Sequence, residues 1–428
     1  MEERATVRRR RRRPSRWSSE EKIPKELLVD SAEAAAAAGL LTDDLIVEIL
    51  SRLPARSVHR FKCVCKLWRD LIAYPAHRKR LPQTLAGFLY STHTGVYGHH
   101  LAAVSSTVVD FVDPSLSFLR PMNYTKIRLR DTCNGLLLCV CYYNMEKRLV
   151  VCNPATQRWT ELPPAPQPQP GTYNWDQRLA FDPAVSPSHF HVLDFVDTTN
   201  KYHHTGVNIY SSRTGAWIHR DTELLDKVVL ADGSVFVGGV LHLPGKLRED
   251  RPCQSRHSIG YSYQENFVLV VVDMEWKAWK IVRTPAYGFS FGAIGWSQGR
   301  LHYATPSETP ITVSNDDDEV ILREIAVWCL EDYGSKKWAL KHIVRIDKPI
   351  EMEYSVVGFH PDCDTIFFVT TTRAAYHSDS WDASSLASWD MWRLQFRTVL
   401  DLEKRSSVTY LPYVPMFSES TLPDGEVQ

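Results

Sequence analysis

Trp159, Trp217, Trp279 and Trp338 stand roughly 60 residues apart, and each opens a short apolar run. The same grammar precedes every one of them: an apolar run, a brief polar turn, then the tryptophan run. It is legible in "NGLLLCVCYYNMEKRLVVCNPATQRWTELPP" (134–164), "VNIYSSRTGAWIHRD", "FVLVVVDMEWKAWKIVRTP" and "EIAVWCLEDYGSKKWALKHIVRI". Short apolar runs bounded by turn residues are strands. A four-stranded unit repeated at about 40 to 60 residues is the sequence form of a β-propeller. "GFHPDCDTIFFVTTT" followed by "MWRLQFRTVLDLEKRSSVTYLP" makes a later unit, in which Val408 and Tyr410 take the place of the tryptophan strand. "GFLYSTHTGVYGHHLAAV" and "VVDFVDPSLSFLRP" make a degenerate first one. Between Ala86 and Pro415 the count is about six blades, with five to eight allowed. The four tryptophans are expected to pack blade on blade, each ring removing apolar area worth about 1.5–3 kcal/mol. A row of rings for stacking a ligand is the alternative.

A different texture precedes the repeats. "LTDDLIVEILSRLPARSVHRFKCVCKLWRDLI", residues 41–72, reads as helices. Thr42 caps the first, Asp43 and Asp44 complement its dipole, and it ends at Leu53 before Pro54. Ser57 is expected to cap a second helix running to about Ala73. Leu45, Ile49 and Leu53 form one stripe, widened by Ile46 and Leu50. In the second helix Val58, Phe61, Cys65, Trp68 and Ile72 form a stripe, with Val64, Leu67 and Leu71 beside it. One stripe suffices to pack a helix on a neighbour. Two per helix, on a segment too short to build a sufficient core, imply a second covered surface. That surface docks either on the chain's own propeller or on another protein.

The same stretch resembles an F-box, the helical module by which substrate receptors attach to the Skp linker subunit of cullin–RING ubiquitin ligases. The resemblance rests on the Leu-x-x-Asp-Leu opening, "EIL" with "RLP", Ser57–Val58, and "VCKLW" followed by "LI" and a proline. It departs at Leu41–Thr42, where the family usually has Leu-Pro; both start a helix. Residues 86–415 resemble, more diffusely, the F-box-associated (kelch-like) domains of plant F-box proteins, through "NGLLL", "NPATQRWTELPP" and "GFHPDCDTIFF". The resemblance implies a fold of α+β multidomain class, a small all-α module followed by an all-β propeller. It implies a substrate receptor of an SCF-type ubiquitin ligase, with the propeller capturing a protein substrate. Carried over by position, the Skp-facing residues are Leu41, Leu45, Ile49, Leu50, Leu53, Pro54, Val58, Val64, Cys65 and Trp68. Packing within the module would equally account for each, most readily for Leu53, Phe61 and Leu71.

Composition bounds the other classes. Lysine plus arginine equals aspartate plus glutamate at 50 each, so no overall field draws nucleic acid. No run reaches the roughly 20 apolar residues of a membrane span, and the first 30 residues lack a signal-peptide core. The nine scattered cysteines read as reduced core residues of an intracellular protein. "CVC" at Cys63/Cys65 and Cys139/Cys141 is too sparse for zinc. Neither metal nor cofactor is expected, and no enzyme: the acids at Asp316–Glu319 read as a solvated turn. His99/His100 and His203/His204 are strand neighbours that point to opposite faces.

The expected domains are a basic and alanine-rich disordered tail (1–38), the helical module (39–82), the propeller (86–415) and a flexible tail (416–428). The run Arg8–Arg13 is either a solvated tail or a nuclear-import or nucleic-acid patch, and the expected location is nucleus and/or cytoplasm. Substrate is expected on aromatic loops, "GTYNWDQ" (Tyr173, Trp175), "TNKYHH" (Tyr202), "AYGFSF" (Tyr287, Phe289) and "HSDSWDASSLASW" (Trp381, Trp389), each of which partial burial on the propeller also explains. The rival reading is a non-catalytic scaffold or nucleic-acid-associated protein, with the helices packed on their own propeller.

Overall fold

A computed structural model describes residues 42–422 apart from 54, 62, 63, 75, 76, 78, 79, 82, 83, 93–97, 105–111, 167–171, 199–203, 249–266, 274, 286–291, 307–310, 316, 317, 333, 335, 348–351, 374–380, 403–408 and 418–421. Helix α1 (Asp43–Ser51) starts as its sequence dictates: the Thr42 hydroxyl accepts from the Leu45 amide at 3.4 Å, with Asp43 and Asp44 in the first turn. The single second helix expected from Ser57 is two, α2 (Ala55–Phe61) and α3 (Lys66–Ala73), and Ser57 lies inside α2 rather than capping it. Cys65 between them is extended, at φ −157° and ψ 170°. One straight helix would hold Phe61 and Trp68 about 10 Å apart along its axis. The break folds them together, ring centroids 5.1 Å apart, over the module's interior. That interior is Ile46, Val47, Leu50, Val58, Leu71, Ile72 and Leu81, a cluster to which no described propeller residue belongs.

Six sheets follow. Blade I opens with β1 (Gly87–Thr92) and β2 (Gly98–Ala103), and blade II is β3 (Lys126–Cys133), β4 (Leu136–Tyr143), β5 (Glu146–Asn153) and β6 (Arg158–Glu161). Blade III is β7 (Thr172–Phe181), β8 (Phe190–Thr198), β9 (His204–Ser211) and β10 (Ala216–Asp221); the short helix α4 (Glu223–Asp226) leads from it to blade IV. Blade IV is β11 (Val228–Leu230), β12 (Val235–Val237), β13 (Val240–Leu247), β14 (Phe267–Asp273) and β15 (Trp279–Arg283). Blade V is β16 (Ala293–Ser297), β17 (Arg300–Pro306), β18 (Ile311–Asn315), β19 (Asp318–Asp332) and β20 (Lys337–Asp347). Blade VI is β21 (Met352–Phe359), β22 (Thr365–Arg373), β23 (Trp381–Asp390) and β24 (Gln395–Asp401). The last strand, β25 (Leu411–Tyr413), returns to pair with β1, so the two ends of the propeller share one blade.

All strand pairings are antiparallel, and β25, β3, β7, β12, β16 and β21 touch one another in turn, closing an inner ring of six. Period-two alternation fills the seams between blades. In β4, Leu136, Leu138 and Val140 face the seam with blade III, while Leu137, Cys139 and Cys141 face blade I. A strand buried on both faces explains the unbroken apolar run that the sequence shows there.

The two ends of the disc differ. The end where the inner strands finish, which β1 also enters from the helical module, is closed by tight turns. Asn134–Gly135, Gly238–Gly239 and Gln298–Gly299 each have both residues at positive φ, the hairpin geometry that glycine makes accessible. At Gly135 a Cβ would also lie 2.3 Å from the Met416 Cβ, so the returning chain needs its absence. The opposite end holds the longer connections, 248–266 among them.

Four expectations are corrected. The outer strand of blade VI is β24, not the segment with Val408 and Tyr410: Tyr410 leads into β25, and Val408 lies outside the described residues. The described part of "VVDFVDPSLSFLRP" is no strand. The Asp113 carboxylate accepts from the amides and hydroxyls of Ser115 and Ser117 and bends it into a 3₁₀ turn (Ser117–Met122), leaving blade I with three strands. Residues 172–181 and 381–390 are strands rather than loops. Finally, the stretch after Met416 is not free where it is described: Phe417 and Leu422 are buried, Asn153 Nδ2 donates to the Met416 carbonyl at 2.7 Å and Arg158 to the Leu422 carbonyl at 3.2 Å.

Candidate functional site

Helix α1 divides by its own period. Ile46, Val47 and Leu50 face the module's interior, while Leu45 and Ile49, one turn apart, are 50% and 47% exposed. Beyond the break Val64 is 61% exposed, Leu67 52% and Tyr74 56%. Five large apolar side chains thus face outward within 30 residues, a density that soluble surfaces keep for binding faces. Beside them Glu48 forms ion pairs with Arg52 at 2.7 Å and Arg80 at 2.8 Å, and its hydrogen bond from Arg52 holds the carboxyl below its ordinary range.

Of the residues expected to face Skp, Leu45, Ile49, Val64 and Cys65 are exposed. Leu53 and Trp68 are half-buried against the interior cluster. Leu50 and Val58 are corrected: they are fully buried between the helices, because the inward stripe of α1 runs through Leu50 rather than its neighbour Ile49. Leu41 and Pro54 lie outside the described residues. Leu67 and Tyr74 complete the exposed set. Leu67 stood in the second stripe of the sequence but was assigned no partner, and Tyr74 carried no periodic signal.

On the propeller, Tyr173 and Trp175 begin inner strand β7 and Trp381 begins β23, both at the end away from the module. Tyr202, Tyr287 and Phe289 lie outside the described residues, in the connections from β8 to β9 and from β15 to β16. Trp389 is corrected from a loop residue to a core one: it pairs with Ile366 and Phe396 and packs on the cluster between blades V and VI.

The recurring tryptophans all sit on outer strands. Trp159 is 8% exposed in the seam between blades I and II. Trp217 Nε1 donates to the Pro163 carbonyl at 2.8 Å and Trp338 Nε1 to the Arg283 carbonyl at 3.0 Å. Each of these two is a clasp onto the previous blade, Trp217 just beyond its outer strand and Trp338 at the last residue of its outer strand. Trp279 donates instead to Trp276 of its own turn, at 3.3 Å.

The ring also carries charge in its interior, which the sequence did not disclose. The Asp131 carboxylate accepts from the Leu179 amide at 2.9 Å, the Ser234 hydroxyl at 2.7 Å and the Thr132 amide at 2.9 Å, tying blades II, III and IV. Burial pushes its pKa up to about 6, against the pull of Arg178 and those three donors. Arg178 pairs with Asp176 and donates to the Ala231 carbonyl at 2.7 Å. Asp194 takes Gln177 at 2.8 Å and Lys147 at 3.4 Å.

His99 bonds Ser91 and His100 bonds Thr92, each at 3.0 Å, on alternate faces of β2. Asp318 and Glu319 open β19 directly after a hairpin turn. Among the described residues no group of three His, Cys, Asp or Glu side chains is placed to hold a metal, and no helix is long and apolar enough to cross a membrane.

Residues 40–79 match the model of the F-box domain, and residues 95–272 match that of the F-box associated beta propeller domain. F-box protein At5g07610 of Arabidopsis thaliana is 27% identical over 194 residues, 41% of this chain and 44% of that one. A second Arabidopsis thaliana F-box protein, At1g30920, is 24% identical over 348 residues, 74% of this chain and 77% of that one. The chain spans about half the length of the first curated relatives it matches. Among solved structures the tricorn protease aligns with 64% of this chain and 27% of its own, at 12% identity and a TM-score of 0.34.

Proposed function

From an F-box domain joined to an F-box-associated β-propeller, the architecture to which this chain belongs, we propose a substrate-recognition subunit of a cullin–RING ubiquitin ligase. The helical module grips the Skp-type linker subunit through Leu45, Ile49, Val64, Leu67 and Tyr74, and the propeller holds a protein for ubiquitination. The observation that carries this reading is the outward apolar set on a module whose interior is already filled without it.

The magnitudes are consistent. Covering the exposed half of these five side chains gains about 1 kcal/mol each, about 5 kcal/mol together. Association costs about 4–15 kcal/mol, so the half-buried Trp68 and neighbouring polar contacts must add to it, and losing any two of the five should end stable binding. The chemistry of ubiquitin transfer belongs to other subunits. This chain supplies effective concentration and orientation, in the nucleus and/or the cytoplasm.

The test is co-purification with a recombinant Skp subunit. Leu45→Lys with Ile49→Lys abolishes capture while the thermal unfolding of the propeller stays unchanged. Undiminished capture by that double variant would defeat the proposal.

A further inference from the structure

The clasp that repeats around the propeller is turned inward at one seam, and a groove lies at the edge of that seam. Trp217 reaches from blade III to the chain beyond blade II, and Trp338 reaches from blade V to the last residue of blade IV's outer strand. Trp279 of blade IV makes no such bond to blade III; its indole N–H is taken by the Trp276 carbonyl. Between blades III and IV lies a groove of about 730 Å³, lined by Arg220, Leu224, Lys227, Trp276, Trp279 and Ile281, with Asp221, Thr222 and Lys277 completing it.

Trp276 itself is unusual. It stands at φ +58°, a left-handed conformation that bulky side chains rarely adopt. In the corresponding turns of blades II, III and V the left-handed residue is Gln157, Gly215 and Lys336, one position nearer the outer strand. The displaced turn of blade IV places the Trp276 indole in the interior, 4% exposed and edge-on to His191 with centroids 5.3 Å apart. The groove therefore has a rigid aromatic wall, built at a conformational cost that strand pairing alone does not require.

Charge says what fits. The lining has three cations, Arg220, Lys227 and Lys277, against one acid, Asp221. Asp221 already faces His219 at 3.1 Å, and Lys277 is paired with Glu275 at 3.0 Å. Arg220 and Lys227 have no ion pair among the described residues. Unpaired cations bordering an apolar wall complement an anionic chain that carries an apolar side chain.

We infer that the seam between blades III and IV is a docking groove for an acidic peptide segment, with one apolar residue seated against Leu224, Trp279 and Ile281 and its flanking carboxylates on Arg220 and Lys227. A peptide fits better than a nucleic acid. The wall is partly aliphatic, Trp276 is too buried to offer its face to a base, and two free cations are few for a phosphate backbone. This inference rests on the receptor reading and names the substrate class for it: proteins that display an acidic, apolar-centred segment.

The experiment uses the full chain bound to its Skp subunit and a fluorescein-labelled peptide of four glutamates, one phenylalanine and four more glutamates, read by anisotropy. Binding is expected to weaken between about 50 and 200 mM salt, and Arg220→Glu with Lys227→Glu is expected to weaken it about tenfold. Both positions lie on the surface, so the thermal midpoint should not move, and Arg220→Lys with Lys227→Arg should restore binding. Replacing the central phenylalanine by alanine should also weaken it. The inference is overturned if the lysine-flanked phenylalanine peptide or an eight-nucleotide oligouridine binds as well, if the alanine-centred peptide does, or if the charge-reversed protein binds unchanged. Skp capture is measured on the same samples. Its loss with peptide binding intact would count against the receptor reading alone, and the converse against the groove alone.

Discussion

The helical module and the propeller solve the same problem in opposite ways. The propeller closes its six inner strands into a ring and packs the seams with its own side chains, so most of its apolar residues are covered within one chain, with Met145, Trp392 and Leu394 among the scattered exceptions. The module has seven buried residues inside and leaves five large apolar ones in water. A ring can be self-sufficient; three short helices cannot, and on the proposed function this module is finished by the linker subunit. The lesson lies in adjacent residues: Ile49 and Leu50 are chemically alike, yet one stands half exposed on the module's surface and the other in its core.

The comparison breaks first at that pair. Leu50→Lys buries an unpaired charge and should unfold the module by about 4–5 kcal/mol, seen as loss of helical signal together with loss of Skp capture. Leu45→Lys with Ile49→Lys should cost on the order of a thousandfold in affinity, about 4 kcal/mol, with helical content retained. If both variants lose helicity equally, the division into inner and outer stripes is wrong.

Next in size is the propeller's own cement. Asp131→Ala leaves the Leu179 amide and Ser234 hydroxyl without their acceptor and should destabilise the disc by about 3 kcal/mol, measured by denaturant unfolding of residues 84–428. The module should be indifferent to it.

A pH series separates the two regions more finely. His99, His191 and His302 are held down to about 4, in each case chiefly by burial, and burial lowers His242 as well. Groups with depressed folded values contribute stability that is present above their unfolded pKa, near 6.5, and lost as pH falls toward the folded value. The propeller should weaken between pH 6.5 and 4 by up to about 1.4 kcal/mol per pH unit for each proton taken up. Asp131 runs the other way. With its folded value raised to about 6, its contribution is full below about 4 and lost as pH rises through 6, so Asp131→Asn should steepen the acid-side loss. No histidine belongs to the module's interior cluster, so its helical signal should change less over the same range.

The smallest effect concerns the clasps. Trp217→Phe and Trp338→Phe each remove an interblade hydrogen bond and should cost about 1 kcal/mol. Trp279→Phe, whose bond stays within its own turn, should cost no more than that, and a larger loss there would mean that the grooved seam is tighter than its geometry indicates.

Much of this was legible beforehand because it is written in contiguous sequence. The F-box stretch is legible through its resemblance to the family's motifs, and the four tryptophan units and the approximate blade number follow from local period and spacing. What was not legible depends on closure or on direction. β25 is three residues long and pairs with a strand over 300 positions away, so nothing local marks it, and its neighbour Tyr410 was assigned to the wrong blade. The inner and outer stripes of α1 are both built of aliphatic side chains, so sequence alone does not tell the buried Leu50 from the exposed Ile49, and Val58 on α2 meets the same ambiguity. Asp131, in "IRLRDT", looks like a solvent-facing strand residue until the ring shows three donors converging on it. The aromatic segments at 172–175 and 381–389 resembled loops because polar residues interrupt them, although their alternation was that of strands.

The pairing of β25 with β1 has a consequence for the order of events on the ribosome. Inner-strand residues Leu411–Tyr413 complete blade I, and they emerge only after the strands β1 to β24 have been made. The helical module, which precedes the disc and is internally packed, can fold while the disc is still an unlatched row of blades. A chain ending shortly after residue 401 would carry the helical module on an unclosed ring, and on the proposed function such a fragment would occupy ligase without delivering to it.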